Sequence, residues 1–175
     1  MRLLPTAFLI AAISAPALAQ HHSHQPPASA SASYAEFKSR TIKALSAQQT
    51  ADLQAGRGMG LALAAELNGY PGPMHVLEHQ AALGLTAGQI ARMEALLAAM
   101  RADAVTAGAA AVAGEQALDR LFASGTASEE MLRAAVGSVA QAHGEVRLIH
   151  LRTHIATRAA LSPEQTALYA KLRGY

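Results

Sequence analysis

LTAGQIARMEALLAAMRADAVTAGAAAVAGEQALDRLFA, residues 85–123, decides the fold. Apolar and small residues recur there at alternating steps of three and four: Ile90, Met93, Leu97, Met100, Ala104, Ala107, Ala111, Gly114, Leu118 and Leu121. That spacing puts one stripe along one side of a helix. No proline interrupts it, and Thr86 with Gln89 supplies a capping signal at its start. The spacing predicts a helix over 87–123, which at 1.5 Å per residue reaches ~55 Å. Ser124, Gly125 and Thr126 break the pattern. It resumes through Leu132, Val136, Val139, His143, Val146, His150 and Thr153, predicting a second long helix over 128–160. Two striped helices joined by a short turn make an antiparallel hairpin. The predicted fold is all-α: an elongated antiparallel hairpin with short helices before and after it, dimeric because its outer faces need cover. Small residues in the middle of the first stripe allow close approach of the partner helix or of a second subunit.

Outward from the hairpin, Ala, Leu, Met, Glu, Gln and Arg dominate, and further helices are predicted at about 35–45, 47–67, 73–83 and 163–173. Asn68 and Gly69 suit a left-handed stop, Pro71 blocks continuation, and Pro73 suits a first helical turn. The first nineteen residues read as an export leader, with Arg2, an apolar run from Leu3 to Ile13, and small residues ending at Ala19. Cleavage after Ala19 delivers the chain to the periplasm. Residues 20–33, QHHSHQPPASASAS, read as a disordered tether. Its His21, His22 and His24 either capture metal weakly or are simply solvated. The domain plan is therefore leader 1–19, tether 20–33, helical segment 34–72 and helical domain 73–175.

Composition excludes several functions. The formal net charge is +2 with histidines neutral, and the basic residues are scattered, which argues against nucleic acid. Past the leader, no apolar stretch is read as long enough to span a bilayer. Cysteine is absent, so there are no disulfides and no thiol chemistry. Residues 56–60, GRGMG, lack the spacing of a phosphate loop and are read as close packing that leads into the next helical turns. Glu66, Glu78, Glu94 and Asp103 are single carboxylates on predicted helices, and no nucleophile motif accompanies them. The chain is not expected to be an enzyme, and no small-molecule substrate or organic cofactor is expected.

One short pattern occurs three times. Leu45-Ser46-x-x-Gln49, Leu85-Thr86-x-x-Gln89 and Leu161-Ser162-x-x-Gln165 each place a capping hydroxyl three residues before a glutamine that reaches back to the cap. Through these residues the segment 73–175 resembles the Spy/CpxP family, also called the LTxxQ-motif family, with its ZraP and CnrX branches. Ser46 and Ser162 replace the threonine of the strict motif, and serine caps equally well. Residues 34–72 resemble an extra helical segment of one branch. The resemblance implies a periplasmic, often dimeric helical hairpin acting in envelope stress as an ATP-independent chaperone, as an inhibitor of a sensor kinase, or as a metal-binding protein. Its partners would be unfolded periplasmic proteins or a membrane sensor.

Two features speak to those roles. Met93 and Met100 are adaptable apolar contacts, and Arg92, Arg101, Arg147, Arg152 and Arg158 would rim a client surface. Ordinary seam packing explains the methionines equally well. For metal, His75 and His79 lie four apart on a short predicted helix, with Glu78 on the same face, and His150 and His154 lie four apart on the second long helix. A turn near residue 126 places His150 and His154 near Met100 and Asp103. The expected site is His75, Glu78, His79, Met100, Asp103, His150 and His154, holding zinc, nickel, cobalt or copper. His143, opposite the alanine stretch, has no second ligand and is left out. In the CnrX branch, histidines from these two regions share a metal with a carboxylate and a methionine. The spacing from His154 to Leu161 departs from that branch. Two separate surface pairs with little metal affinity remain the competing reading.

Overall fold

The computed structural model describes residues 29–175. The leader, its cleavage point and the three tail histidines lie outside them. Every regular element among the described residues is helical: α1 (Ser29–Ser39), α2 (Ala47–Gln54), α3 (Leu63–Glu66), α4 (Pro73–Glu78), α5 (Ala87–Ala123), α6 (Glu129–Ala159) and α7 (Pro163–Arg173). α1 begins inside the stretch expected to be tether, so residues 29–33 are helical.

The three repeated motifs all form reciprocal capping boxes. Ser46, Thr86 and Ser162 each accept from the backbone N–H of the glutamine three residues on, and each glutamine accepts from the cap's own N–H. They start α2, α5 and α7. Gln89 and Gln165 go further. Gln89 Nε2 donates to Gln165 Oε1 at 2.8 Å and to the Ala160 carbonyl at 3.0 Å. Gln165 Nε2 donates to the Leu83 carbonyl at 3.2 Å. Two helix starts 76 residues apart are thus stitched together.

The expected helix over 47–67 is broken. α2 stops at Gln54, where Gly56 takes φ +63. The Gly56 N–H bonds back to Leu53 O at 3.1 Å and the Arg57 N–H to Asp52 O at 2.9 Å, the pair of returns that ends a helix on a left-handed residue. Met59 and Gly60 also have positive φ, so the chain loops across before α3. The segments expected at 35–45 and 73–83 likewise end early, at Ser39 and Glu78.

α5 and α6 pack along each other, and their contacts pair Gly114 with Val139, Glu115 with His143, and Asp103 with Arg152. As numbers fall along α5 they rise along α6. α5 buries Met93, Ala104, Ala107 and Ala111 from its stripe, and α6 buries Val146, His150 and Thr153. Towards the turn the cover thins, and Val136, expected in the seam, is exposed. The close approach at mid-stripe comes from α2 as well as from α6. A Cβ on Gly108 would lie 1.9 Å from the Leu53 carbonyl oxygen, so α2 rests directly on the α5 backbone. Ile42, Leu45 and Leu53 share one core with Ala104, Ala107, Ala111, Val112, Val146 and Ile149. A second core joins Val76, Leu83, Met93, Leu161 and Tyr169. Burying Leu53 alone is worth about 1.5–3 kcal/mol.

The expectation that no later stretch could span a bilayer needs correction. By length and composition α5 does, with an 18-residue window of mean hydropathy 1.4. Its apolarity comes largely from alanines, several of which pack under α2 and α6.

Candidate functional site

A cavity of about 780 Å³ opens where the 55–63 loop, the start of α4, α5 near Met100, α6 and the end of α7 meet. His75, His150 and His154 all line it. The elements explain why. The left-handed stop after α2 turns the chain so that Gly58 passes the His150 ring, 3.6 Å from where its Cβ would stand. The turn before α4 brings Gly72 against His154, where a Cβ would meet ring atoms at 3.0 and 3.2 Å.

His150 is 4% exposed, and its Nε2 has no hydrogen-bond partner. Burial, and secondarily the neighbouring His154, push its imidazole below the ordinary histidine range, so it is neutral at pH 7. His154 Nδ1 lies 2.7 Å from the Tyr70 carbonyl oxygen. A carbonyl only accepts, so Nδ1 carries the proton and Nε2 of the neutral ring carries a lone pair. This is the arrangement by which a backbone carbonyl orients a metal-ligating imidazole.

Behind His154 sits Glu66, buried among polar partners. It accepts from the Gly72 N–H at 3.1 Å and from the hydroxyls of Tyr169 and Tyr175. Its carboxylate also lies 3.5 Å from His154 Nδ1 and 3.8 Å from Arg173 Nε. Burial first, then the Glu66 carboxylate, push the Tyr169 phenol far above its ordinary range. Glu66 reads from sequence as one of four single carboxylates, and the structure makes it the hub that ties α3, α6 and α7. The signal available in the sequence was its isolation: one charge inside LALAAEL, just ahead of a Gly/Pro turn.

The other expected ligands divide. Met100 lines the cavity. His79 does not: it caps α4, its N–H bonded to the His75 carbonyl at 3.2 Å, and its ring packs edge-on to Tyr169 at 6.4 Å between ring centres. Glu78 is exposed and held by His75 Nδ1 at 2.9 Å, which keeps its carboxyl below the usual range. Asp103 pairs with Arg152 at 2.5 Å beside a separate shallow pocket. His143, left out for want of a second group, has one in Glu115 at 3.0 Å. Among the described residues no three His, Asp or Glu side chains converge closely enough to hold one ion. His75, His150 and His154 therefore share a cavity without forming a three-ligand cluster.

No family model, curated protein or solved structure matches the chain.

Proposed function

We propose that this is an exported, periplasmic metal-responsive protein of the Spy/CpxP type, an elongated antiparallel hairpin that dimerises and takes a divalent transition ion on His150 and His154. The observation that carries the reading is the buried Nε2 of His150. A neutral imidazole nitrogen sealed from water with nothing to bond is costly unless a ligand completes it. His154 supplies a second imidazole lone pair, and the Met100 thioether, on the same cavity wall, is a soft donor. Two imidazoles and a thioether suit zinc, nickel, cobalt or copper better than magnesium or calcium. Water or His75 would fill the remaining positions. The ion, when bound, adds positive charge at α6. Glu66 and the Tyr70 carbonyl hold the His154 ring for it.

The test uses protein whose tail histidines His21, His22 and His24 are changed to Ala, titrated with each of the four metals by calorimetry. We expect one ion per chain, lost in His150→Ala and in His154→Ala and retained in His79→Ala. Equal binding by the His150→Ala protein overturns the site.

Exposed apolar side chains favour a second reading, an ATP-independent chaperone. Phe122 and Met131 lie bare at the turn end of α5 and α6, and Leu148 and Ile155 lie bare along α6. If so, stoichiometric protein suppresses light scattering by an aggregating client, and Phe122→Ser with Met131→Ser weakens that effect.

A further inference from the structure

The cavity is larger and more positive than an ion on two imidazoles requires. At ~30 Å³ per water, its 780 Å³ amounts to about 26 waters, whereas six suffice to hydrate an ion. Its size falls in the range of small-molecule sites, ~300–1,000 Å³. Arg57, Arg101 and Arg173 are among its lining residues, and Glu66 is the single carboxylate residue there. Glu66 is already engaged by Gly72 and two tyrosines. Arg57 is paired with Asp52 and Arg173 lies near Glu66, while Arg101 has no ion-pair partner among the described residues. Leu63, Met74 and Leu97 add an apolar wall. With Arg57 and Arg173 so paired, Arg101 leaves the lining one positive charge in excess, which favours an anion over a bare dication.

Resting on the metal reading above, we infer that the ion is taken together with a small organic chelator bearing several carboxylates. His150 and His154 complete the coordination of the ion, one free carboxylate meets the Arg101 guanidinium, and the carbon body of the chelator fills the space against Leu97 and Met74. The chelator supplies the negative charge that the cavity lacks, and its volume accounts for the room that an ion leaves empty. Arginine at such a position offers two parallel N–H donors to a carboxylate.

Citrate is the probe, with nickel as the ion. Protein with the three tail histidines changed to Ala is dialysed to equilibrium against radiolabelled citrate, with and without equimolar nickel, and both components are counted. The expected result is one citrate retained per nickel and none without nickel. Arg101→Gln keeps nickel and loses citrate retention at least tenfold, Arg101→Lys falls between, and Arg92→Gln, away from the cavity, matches the parent. His150→Ala loses both components. In the citrate dialysis, nickel retained by the parent protein with no citrate beside it overturns this inference and leaves the metal reading standing. Citrate retained equally without nickel, or equally by Arg101→Gln, also overturns it. No nickel retained with or without citrate overturns the metal reading and this inference with it.

Discussion

Replacing Gln89 by Ala removes more than a cap. In the wild-type protein its Oε1 accepts from the Thr86 N–H at 3.0 Å, closing the capping box of α5, and its Nε2 donates to the Ala160 carbonyl and to Gln165. The box bond is worth about 1 kcal/mol. With the bond that Gln89 Oε1 accepts from Gln165 Nε2 at 3.2 Å, three further bonds are half-buried and add about 0.5–1.5 kcal/mol each, so the expected loss is about 2.5–5.5 kcal/mol. Gln49 is the internal control. Its side chain closes the same box on Ser46 at 2.9 Å, and no bond joins it to another helix. Gln49→Ala should therefore cost only about 1 kcal/mol. Urea unfolding followed by circular dichroism at 25 °C measures both, with m unchanged if the denatured state is unaffected. The double variant Gln89→Ala with Gln165→Ala should fall short of the sum of the single losses by about 1–3 kcal/mol, because the two bonds between the amides are counted in both single losses. Equal costs for Gln89→Ala and Gln49→Ala, or additivity within about 0.3 kcal/mol, would refute the claim that the two motifs hold each other.

Gly108→Ala drives a methyl group onto the Leu53 carbonyl and should destabilise by about 2–3 kcal/mol in thermal unfolding, whereas Gly137→Ala and Gly144→Ala, with open space around them, should stabilise by about 0.5–1 kcal/mol. Tyr169→Phe takes one charge-assisted bond from the buried Glu66 carboxylate and should cost about 1.5–3 kcal/mol in urea. Because burial lowers the His150 pKa in the folded state, the denatured chain takes up its proton first as pH falls. In chelator-treated protein, the stability contributed by neutral His150 should be intact above ~6.5 and drain away between that pH and the lower folded-state value, by up to about 1.4 kcal/mol per pH unit; His150→Leu should flatten this slope in melts at pH 4–8.

The long elements were legible because their signals are local. Residues 87–123 and 163–173 carry their own capping residues at one end and glycine or serine stops at the other, and α5 and α7 keep those bounds. Residues 47–67 do not form one helix because Gly56, Met59 and Gly60 turn left-handed, whereas the stretch 56–60 reads from sequence only as close packing. His75 and His79 keep their one-turn relation at the end of α4, but the Tyr169 ring, brought by α7, takes up His79 while His75 lines the cavity, a division that helical spacing cannot show. Of the expected ligands, His75, Met100, His150 and His154 reach one cavity, and Glu78, His79 and Asp103 do not. The tying role of Glu66, named only as a single carboxylate, was not legible because its partners, Tyr169 and Tyr175, lie more than 100 residues away, a contact with no local periodicity.

The loop over the cavity is an arch with both feet clamped. At one foot, Gly56 lies so close to α5 that a Cβ there would stand 3.0–3.1 Å from Val105 N, Ala104 Cβ and Arg101 O. At the other, Glu66 is held by three donors. On the proposed reading, ligand exchange then needs no parting of α5 from α6. Between the feet, Arg57 is tied to Asp52 and Leu61 packs on the core, and the short stretch around Gly58 to Gly60 has Met59 at an unusual φ of +45 at its crown. Motion of so short a span belongs to the nanosecond-to-microsecond range of surface loops. Entry and escape would then be fast compared with any rearrangement of the long helices.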